Sequence, residues 1–240
     1  MIVLFTDFGA DDIYVGQVKA ALARIAPSVP VIDLLHSAPN FDIESSAHLL
    51  AALYQSFAPG TVYFAVIDPG VGGEREAVAM VADGYWFVGP DNGLLSVIAA
   101  RARATRLWRI IWRPETISRS FHGRDLFAPI AAWIAAGQFP ADKLAESNAL
   151  QVQVSVEEKQ QVIYIDHYGN CMTGMRAAGM DKGAILTIGQ HRVAYAPSFS
   201  AVQPGQVFWY ENSAGLVEVA VNRGRADKLL KLQVGAPMSI

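Results

Sequence analysis

The sequence predicts an α/β layer domain followed by a smaller all-β domain. Two observations carry this reading. Up to about residue 150, short apolar β-rich runs alternate with segments of helical spacing. After Gly137 the texture turns polar, and the strand-like runs beyond it are separated by Gly, Asn, Pro and Ser with no long helix between them. The domains are therefore drawn as 1–150 and 151–240. With 240 residues, 52% of them hydrophobic, the chain has apolar volume for one large or two modest cores.

The elements follow in order. "MIVLFT" and "VPVIDLL" read as buried strands. Between them, Asp11 and Asp12 supply negative charge suited to a helix N-terminus, and Val18, Ala21, Leu22 and Ile25 form a stripe at helical spacing, so a crossover helix is expected over 11–26. Asp42 is a candidate N-cap for a helix reaching Tyr54, and "TVYFAVI" gives a third buried strand. "AVAMVA" and "YWFVG" flank Asp83-Gly84, a hairpin signal. Two more helices are expected over 94–104 and 125–136. The stretch "FPADKLAESNALQVQVSVEEKQ" reads as a linker region. Past it, "QVIYID", "AILTIG", "RVAYA", "QVFWY" and "LVEVAV" suggest a small antiparallel barrel or sandwich.

Composition excludes two classes of partner. Charged residues make up 17%, the net charge is -3 and no Lys/Arg run occurs, so the basic surface that nucleic acid or an anionic membrane requires is missing. The opening "MIVLFTDFG" is too short an apolar run for a signal region or a membrane span, and a cytoplasmic location is the expectation. Cys171 is the single cysteine, which leaves no internal disulfide and points to a buried structural thiol.

In an open parallel sheet, ligands gather beyond the C-terminal ends of the strands. Asp7, Asp68 and Asp91 each stand at such an end, with a glycine within two residues. Taken singly, each is better read as a turn or cap than as a functional group; the three together favour a site. The stretch "IDPGVGGERE" adds Gly70, Gly72 and Gly73, which allow a tight reversal that brings Arg75 back toward Asp68. A dinucleotide reading of "GVGGER" fails, because a hairpin rather than a helix follows and the third glycine is absent. The five histidines include no pair at helical metal-site spacing, so no metal is expected, and with the dinucleotide reading rejected no organic cofactor is expected either. His122 precedes a helix start and is either a loop histidine or a catalytic imidazole. Asp166 ends another strand, with Asn170 after a glycine. Glu218 sits among apolar neighbours in "GLVEVAV", which suits a solvated edge or a cationic partner.

Six blocks, "TDFGADDIYVGQVKA", "IDPGVGGER", "GPDNGLLS", "FHGRDLFAP", "IDHYGN" and "NSAGLVEVAVNRG", occur in an order that runs along nearly the whole chain. In these the sequence resembles the S-adenosylmethionine hydrolase (adenosine-forming) family, relatives of the fluorinating and chlorinating enzymes that attack the same substrate. The resemblance implies a Rossmann-like N-terminal domain, a C-terminal β-barrel domain, and a homotrimer with active sites between subunits. It implies a catalytic triad of Asp68, Arg75 and His122. Asp7 matches a residue that bonds the ribose hydroxyls, and Asp166, Asn170, Ser213, Glu218 and the backbone of Val221 match positions that hold the rest of the substrate. The fluorinating relatives carry serine at the position of Gly123 and tyrosine at that of Asp68, and an inserted loop without counterpart near Gly84 to Gly89. Met172 replaces an aromatic and Ala214 an arginine of that branch. The implied reaction is attack of water on C5' of S-adenosylmethionine, giving adenosine and L-methionine. The alternatives are a binding protein for adenosine or S-adenosylmethionine without turnover, and substitution by halide.

Overall fold

A computed structural model describes residues 1–240. The chain divides into two compact units, one of residues 1–50 and 57–156, the other of 51–56 and 157–240.

The first unit is built on a seven-stranded sheet. Its strands are β1 (Ile2–Thr6), β2 (Val31–Leu35), β3 (Val62–Val66), β4 (Ala77–Ala82), β5 (Tyr85–Pro90), β6 (Thr105–Ile110) and β7 (Leu144–Ser147), in the order β2-β1-β3-β5-β4-β6-β7. The β2-β1-β3-β5 portion is parallel, and β4, β6 and β7 add antiparallel pairings. Central strands β1 and β3 are buried at every position, as their unbroken apolar runs demand. By contrast β2, expected to be buried, is the edge strand; it has a neighbour on one side alone, and Ile32 and Asp33 are exposed.

Helix α1 (Ile13–Ile25) starts where Asp12 caps it, its carboxylate accepting from Ile13 N at 2.6 Å, and buries Val15, Val18, Ala21 and Leu22. Helix α2 (Ile43–Leu53) opens behind Asp42, whose carboxylate accepts from Ser45 N. Between β4 and β5, Asp83 and Gly84 both take positive φ (47° and 86°), the conformation a two-residue hairpin with the strands' own twist requires.

Three expectations need correction. Helix α3 covers only Ser96–Arg101. The helix expected from Asp125 is a π turn, Gly123–Phe127, running into α4 (Ala128–Ala135). Part of the expected linker is strand β7, which pairs with β6, itself unread in the sequence. Asp91 explains how the chain then leaves the sheet: its buried carboxylate accepts from Gln151 N (2.9 Å) and Val152 N (3.4 Å), fixing that segment beside the end of β5.

The second unit contains a four-stranded antiparallel sheet, ordered β12-β13-β9-β8, from β8 (Lys159–Ile165), β9 (Cys171–Arg176), β12 (Val207–Glu211) and β13 (Leu216–Val221). A hairpin of β10 (Ile185–Ile188) and β11 (His191–Ala194) accompanies it. Single bridges join Gln161 to Pro237, Thr187 to Ser239, and Tyr195 to Trp209. The core is built from Val162, Leu186, Trp209, Val217 and Val219, with Cys171 fully buried among them. Within residues 157–240 the helical pieces are short: a 3-10 turn, Phe199–Ala201, and the single α-turn α5, Ala226–Leu229. No helix of the chain is long and apolar enough to cross a membrane.

Candidate active site

Asp7 and Asp68 follow the neighbouring parallel strands β1 and β3, so both emerge at one edge of the sheet. The loop after Asp68 closes in two turns, Val71 N to Asp68 O (3.2 Å) and Gly73 N to Gly70 O (3.0 Å). Arg75 thereby returns to Asp68 as a fork, Nε donating to Oδ1 at 2.9 Å and Nη2 to Oδ2. The pair is largely buried, the side chains 11% and 5% exposed, and the Arg75 guanidinium lies over the Phe127 ring at 5.1 Å.

Gly72 ties this loop to the segment carrying His122. It holds φ +80°, and a β-carbon there would stand 2.3 Å from the carbonyl oxygen of Arg119, so only glycine lets the two backbones meet. His122 then comes within reach: Arg75 Nη2 is 3.2 Å from His122 Nδ1. A guanidinium can only donate, so Nδ1 is the acceptor and the ring proton resides on Nε2. Burial, and then the Arg75 charge, hold the His122 pKa below its ordinary value, keeping the imidazole neutral.

Asp68 and His122 line one cavity of about 370 Å³ with Phe8, Tyr14, Phe41, Phe121 and Arg124, and Arg75 joins the two from outside that lining. Asp7 lies in its wall. Burial raises its pKa, and Phe41 N, on a residue at φ +62°, donates to its Oδ2 at 3.3 Å. Behind it, buried Thr6 pairs with His36 through Oγ1 and Nδ1 at 2.8 Å, and His36 Nε2 lies 3.1 Å from Asp33. At Gly123 a β-carbon would meet the rings of Phe8 and Phe121 at 3.1 and 3.3 Å, tight contacts that a serine would have to force open.

The second unit holds a separate cavity of about 710 Å³, lined among others by Asp166, Asn170, Tyr210, Val221 and Arg225. Asp166 accepts from Asn170 N at 2.8 Å and from Asn170 Nδ2 at 3.0 Å, fixing the loop between β8 and β9. Glu218 does not line it, and it has neither a solvated face nor a cationic partner. It is 1% exposed and accepts from Tyr210 Oη at 2.5 Å and Asn212 Nδ2 at 2.7 Å. Burial raises its pKa. Ser213 is exposed in the turn that follows Asn212, outside the cavity lining. The aromatic lining of the first cavity and Tyr210 of the second were not singled out from the sequence. Their one signal is position: Phe8, Tyr14 and Phe121 stand within the quoted blocks beside the polar residues.

Comparison with known proteins converges on one group. The family described as SAM hydroxide adenosyltransferase matches through its N-terminal domain over residues 2–145 and its C-terminal domain over residues 160–239. A (R)-S-adenosyl-L-methionine hydrolase of Thermus thermophilus is 37% identical over 254 residues, covering 98% of this chain and 97% of the relative. The fluorinase of Nocardia brasiliensis is 24% identical over 290 residues, covering 100% and 96%. A crystal structure of a conserved protein from Thermotoga maritima superposes with a TM-score of 0.91 at 30% identity, covering 100% and 99%.

Proposed function

The chain belongs to the SAM hydroxide adenosyltransferase family, and from that premise we propose that it hydrolyses S-adenosyl-L-methionine at C5', releasing adenosine and L-methionine. Handing an adenosyl group to hydroxide gives these two products. The relative's name specifies the R configuration at sulfur, and this epimer is carried over as the substrate. The observation that carries the reading is the single guanidinium of Arg75, forked onto Asp68 and reaching His122 Nδ1, so that it joins two residues of a cavity whose wall also holds Asp7.

The leaving group departs as a neutral thioether and needs no general acid, so the catalytic burden falls on the water. Arg75 occupies one lone pair on each Asp68 oxygen and leaves the others for a water proton. The Nε2–H of His122 donates to the same water, which holds its oxygen toward C5'. As the O–C5' bond forms, the C5'–S electron pair passes to sulfur and the water proton moves to Asp68 and on to solvent. Alignment of this kind contributes roughly 7–11 kcal/mol when geometry is good. Asp7 binds the ribose hydroxyls.

Asp166, Asn170, Ser213, Glu218 and the Val221 backbone hold the remainder of the substrate in this reading, with Glu218 acting through Tyr210 and Asn212. The finer features of the architecture belong to the same proposal. The first unit is Rossmann-like, and the bridges at 161–237, 187–239 and 195–209 support closure of the second into a barrel. The domains divide near residue 150, three chains assemble, and the reaction is cytoplasmic.

The test is incubation with S-adenosylmethionine in oxygen-18 water, followed by mass spectrometry. Label in the 5'-hydroxyl of adenosine and none in methionine is expected. Adenine, S-adenosylhomocysteine or a 5'-halogenated nucleoside as the main product overturns the reading.

A further inference from the structure

The side chains behind His122 form an ion-pair clamp that the reaction itself does not use. Asp125 Oδ2 accepts from Ser118 N at 2.8 Å, closing the segment 118–125 across the residues that present His122. Arg124 grips the same carboxylate from the other side, Nε to Oδ1 at 2.6 Å and Nη2 to Oδ2 at 3.0 Å. Its third nitrogen, Nη1, donates to Gln17 Oε1 on α1 at 2.8 Å, and its guanidinium lies over the Phe121 ring at 5.2 Å. The clamp therefore anchors the histidine segment to a helix of the sheet layer. It also fixes Phe121, the ring that meets Gly123.

The π turn makes this arrangement possible. Ala128 N bonds back to Gly123 O, five residues earlier, so the helix start is wider than an α turn and carries one extra residue. Arg124 and Asp125 are adjacent in sequence, yet their side chains pair with each other through the fork while His122 remains in the cavity wall.

We propose that Arg124 and Asp125 are positioning residues for His122: the clamp sets the imidazole against Arg75. This rests on the catalytic role proposed above for His122. The charged groups acting on the imidazole are Arg75 and Arg113, which disfavour its protonation, and Asp68 and Asp125, which favour it. Loosening the clamp would withdraw the imidazole from burial and from Arg75, the two largest influences holding its pKa down, whereas loss of the Asp125 charge works the other way.

The experiment compares wild type, Asp125→Asn and Asp125→Ala by NMR titration of the His122 imidazole and by kcat and KM with S-adenosylmethionine. Asparagine keeps an acceptor for Ser118 N and loses the charge and one arm of the Arg124 fork; it is expected to lower kcat less than alanine does, with KM within about twofold. Alanine removes the clamp and is expected to lower kcat at least about tenfold with KM within about twofold, the split a positioning role requires. An unchanged kcat in Asp125→Ala, or a KM raised as much as kcat falls, overturns the proposal. If the alanine variant does not fold, kcat and KM of the asparagine variant decide. A wild type that makes no adenosine while the midpoint still shifts removes the hydrolase reading and leaves the clamp standing.

Discussion

Nη2 of Arg75 stands 3.2 Å from Nδ1 of His122 while the same nitrogen contacts Asp68, so one donor group links an anion to a neutral imidazole. A lysine could make either contact as a point charge, but not both together with the Nε bond. Arg75→Ala is accordingly expected to lower kcat by on the order of a hundredfold, the usual loss for one preorganised electrostatic group. Arg75→Lys should recover only part of it. Steady-state kinetics of the two variants checks this, and wild-type turnover in the alanine variant would move the catalytic site elsewhere.

The pH dependence follows from His122. Its folded pKa lies below the ordinary value of 6.5, so the ring stays neutral, and able to accept from Arg75, at pH values where a free histidine has gained its proton. The acid limb of kcat/KM attributable to this group should therefore fall below pH 6.5. Over the same window the unfolded chain binds the proton more readily than the native one. The stability tied to His122 is thus complete above about 6.5 and declines as pH falls toward the folded value. A pH-rate profile whose limb lies above 6.5 contradicts the assignment.

Asp7→Ala should weaken adenosine binding far more than it slows chemistry, by roughly 1.5–3 kcal/mol for lost charge-assisted bonds to a diol. Because burial raises the Asp7 pKa, the affinity should begin to fall with acidification at a pH higher than an exposed aspartate would dictate. Calorimetry against adenosine reads both effects. Unchanged affinity would leave Asp7 as an acceptor for Phe41 N alone.

Gly72→Ala should destabilise the fold by roughly 1–3 kcal/mol from backbone strain, with the contact at Arg119 O adding to it. Gly70→Ala, where a β-carbon meets nothing closer than Arg75 Cγ at 3.9 Å, should cost much less. Thermal unfolding of both variants makes the comparison, and equal shifts in melting temperature would show that the close approach is unimportant.

A trimer is expected in solution at micromolar concentration. Light scattering that shows a fully active monomer removes that expectation.

Much of the first unit was legible because its strands are unbroken apolar runs and its polar groups stand at their ends, as Asp7 and Asp68 do. The hairpin at Asp83-Gly84 was legible for a local reason: both residues take a backbone conformation that few others accept. Strand β6, "TRLWRI", was missed because Arg106 and Arg109 point away from the core and break its apolar run. The π turn left no trace, since its extra residue changes the hydrogen bonding and not the composition. Asp91 looked like a third site carboxylate, and only the distant amides of Gln151 and Val152 reveal it as a structural acceptor. Glu218 was misread because its partners, Tyr210 and Asn212, come from a register that no local pattern encodes.

The bridge between Gln161 and Pro237 has a bearing on how the second unit is made in the cell. Strand β8 receives the 235–238 segment through Gly235 N to Val162 O, Val162 N to Ala236 O and Met238 N to Gln160 O, at 2.8, 2.9 and 2.9 Å. The first strand of this unit must therefore wait on the ribosome for nearly all the rest of the unit before that edge is paired. At about 5–20 residues per second the delay is several seconds, an interval in which an unpaired strand edge is open to wrong partners. Pauses in translation shortly before residue 235 would lengthen that exposure, whereas those within the first unit would not.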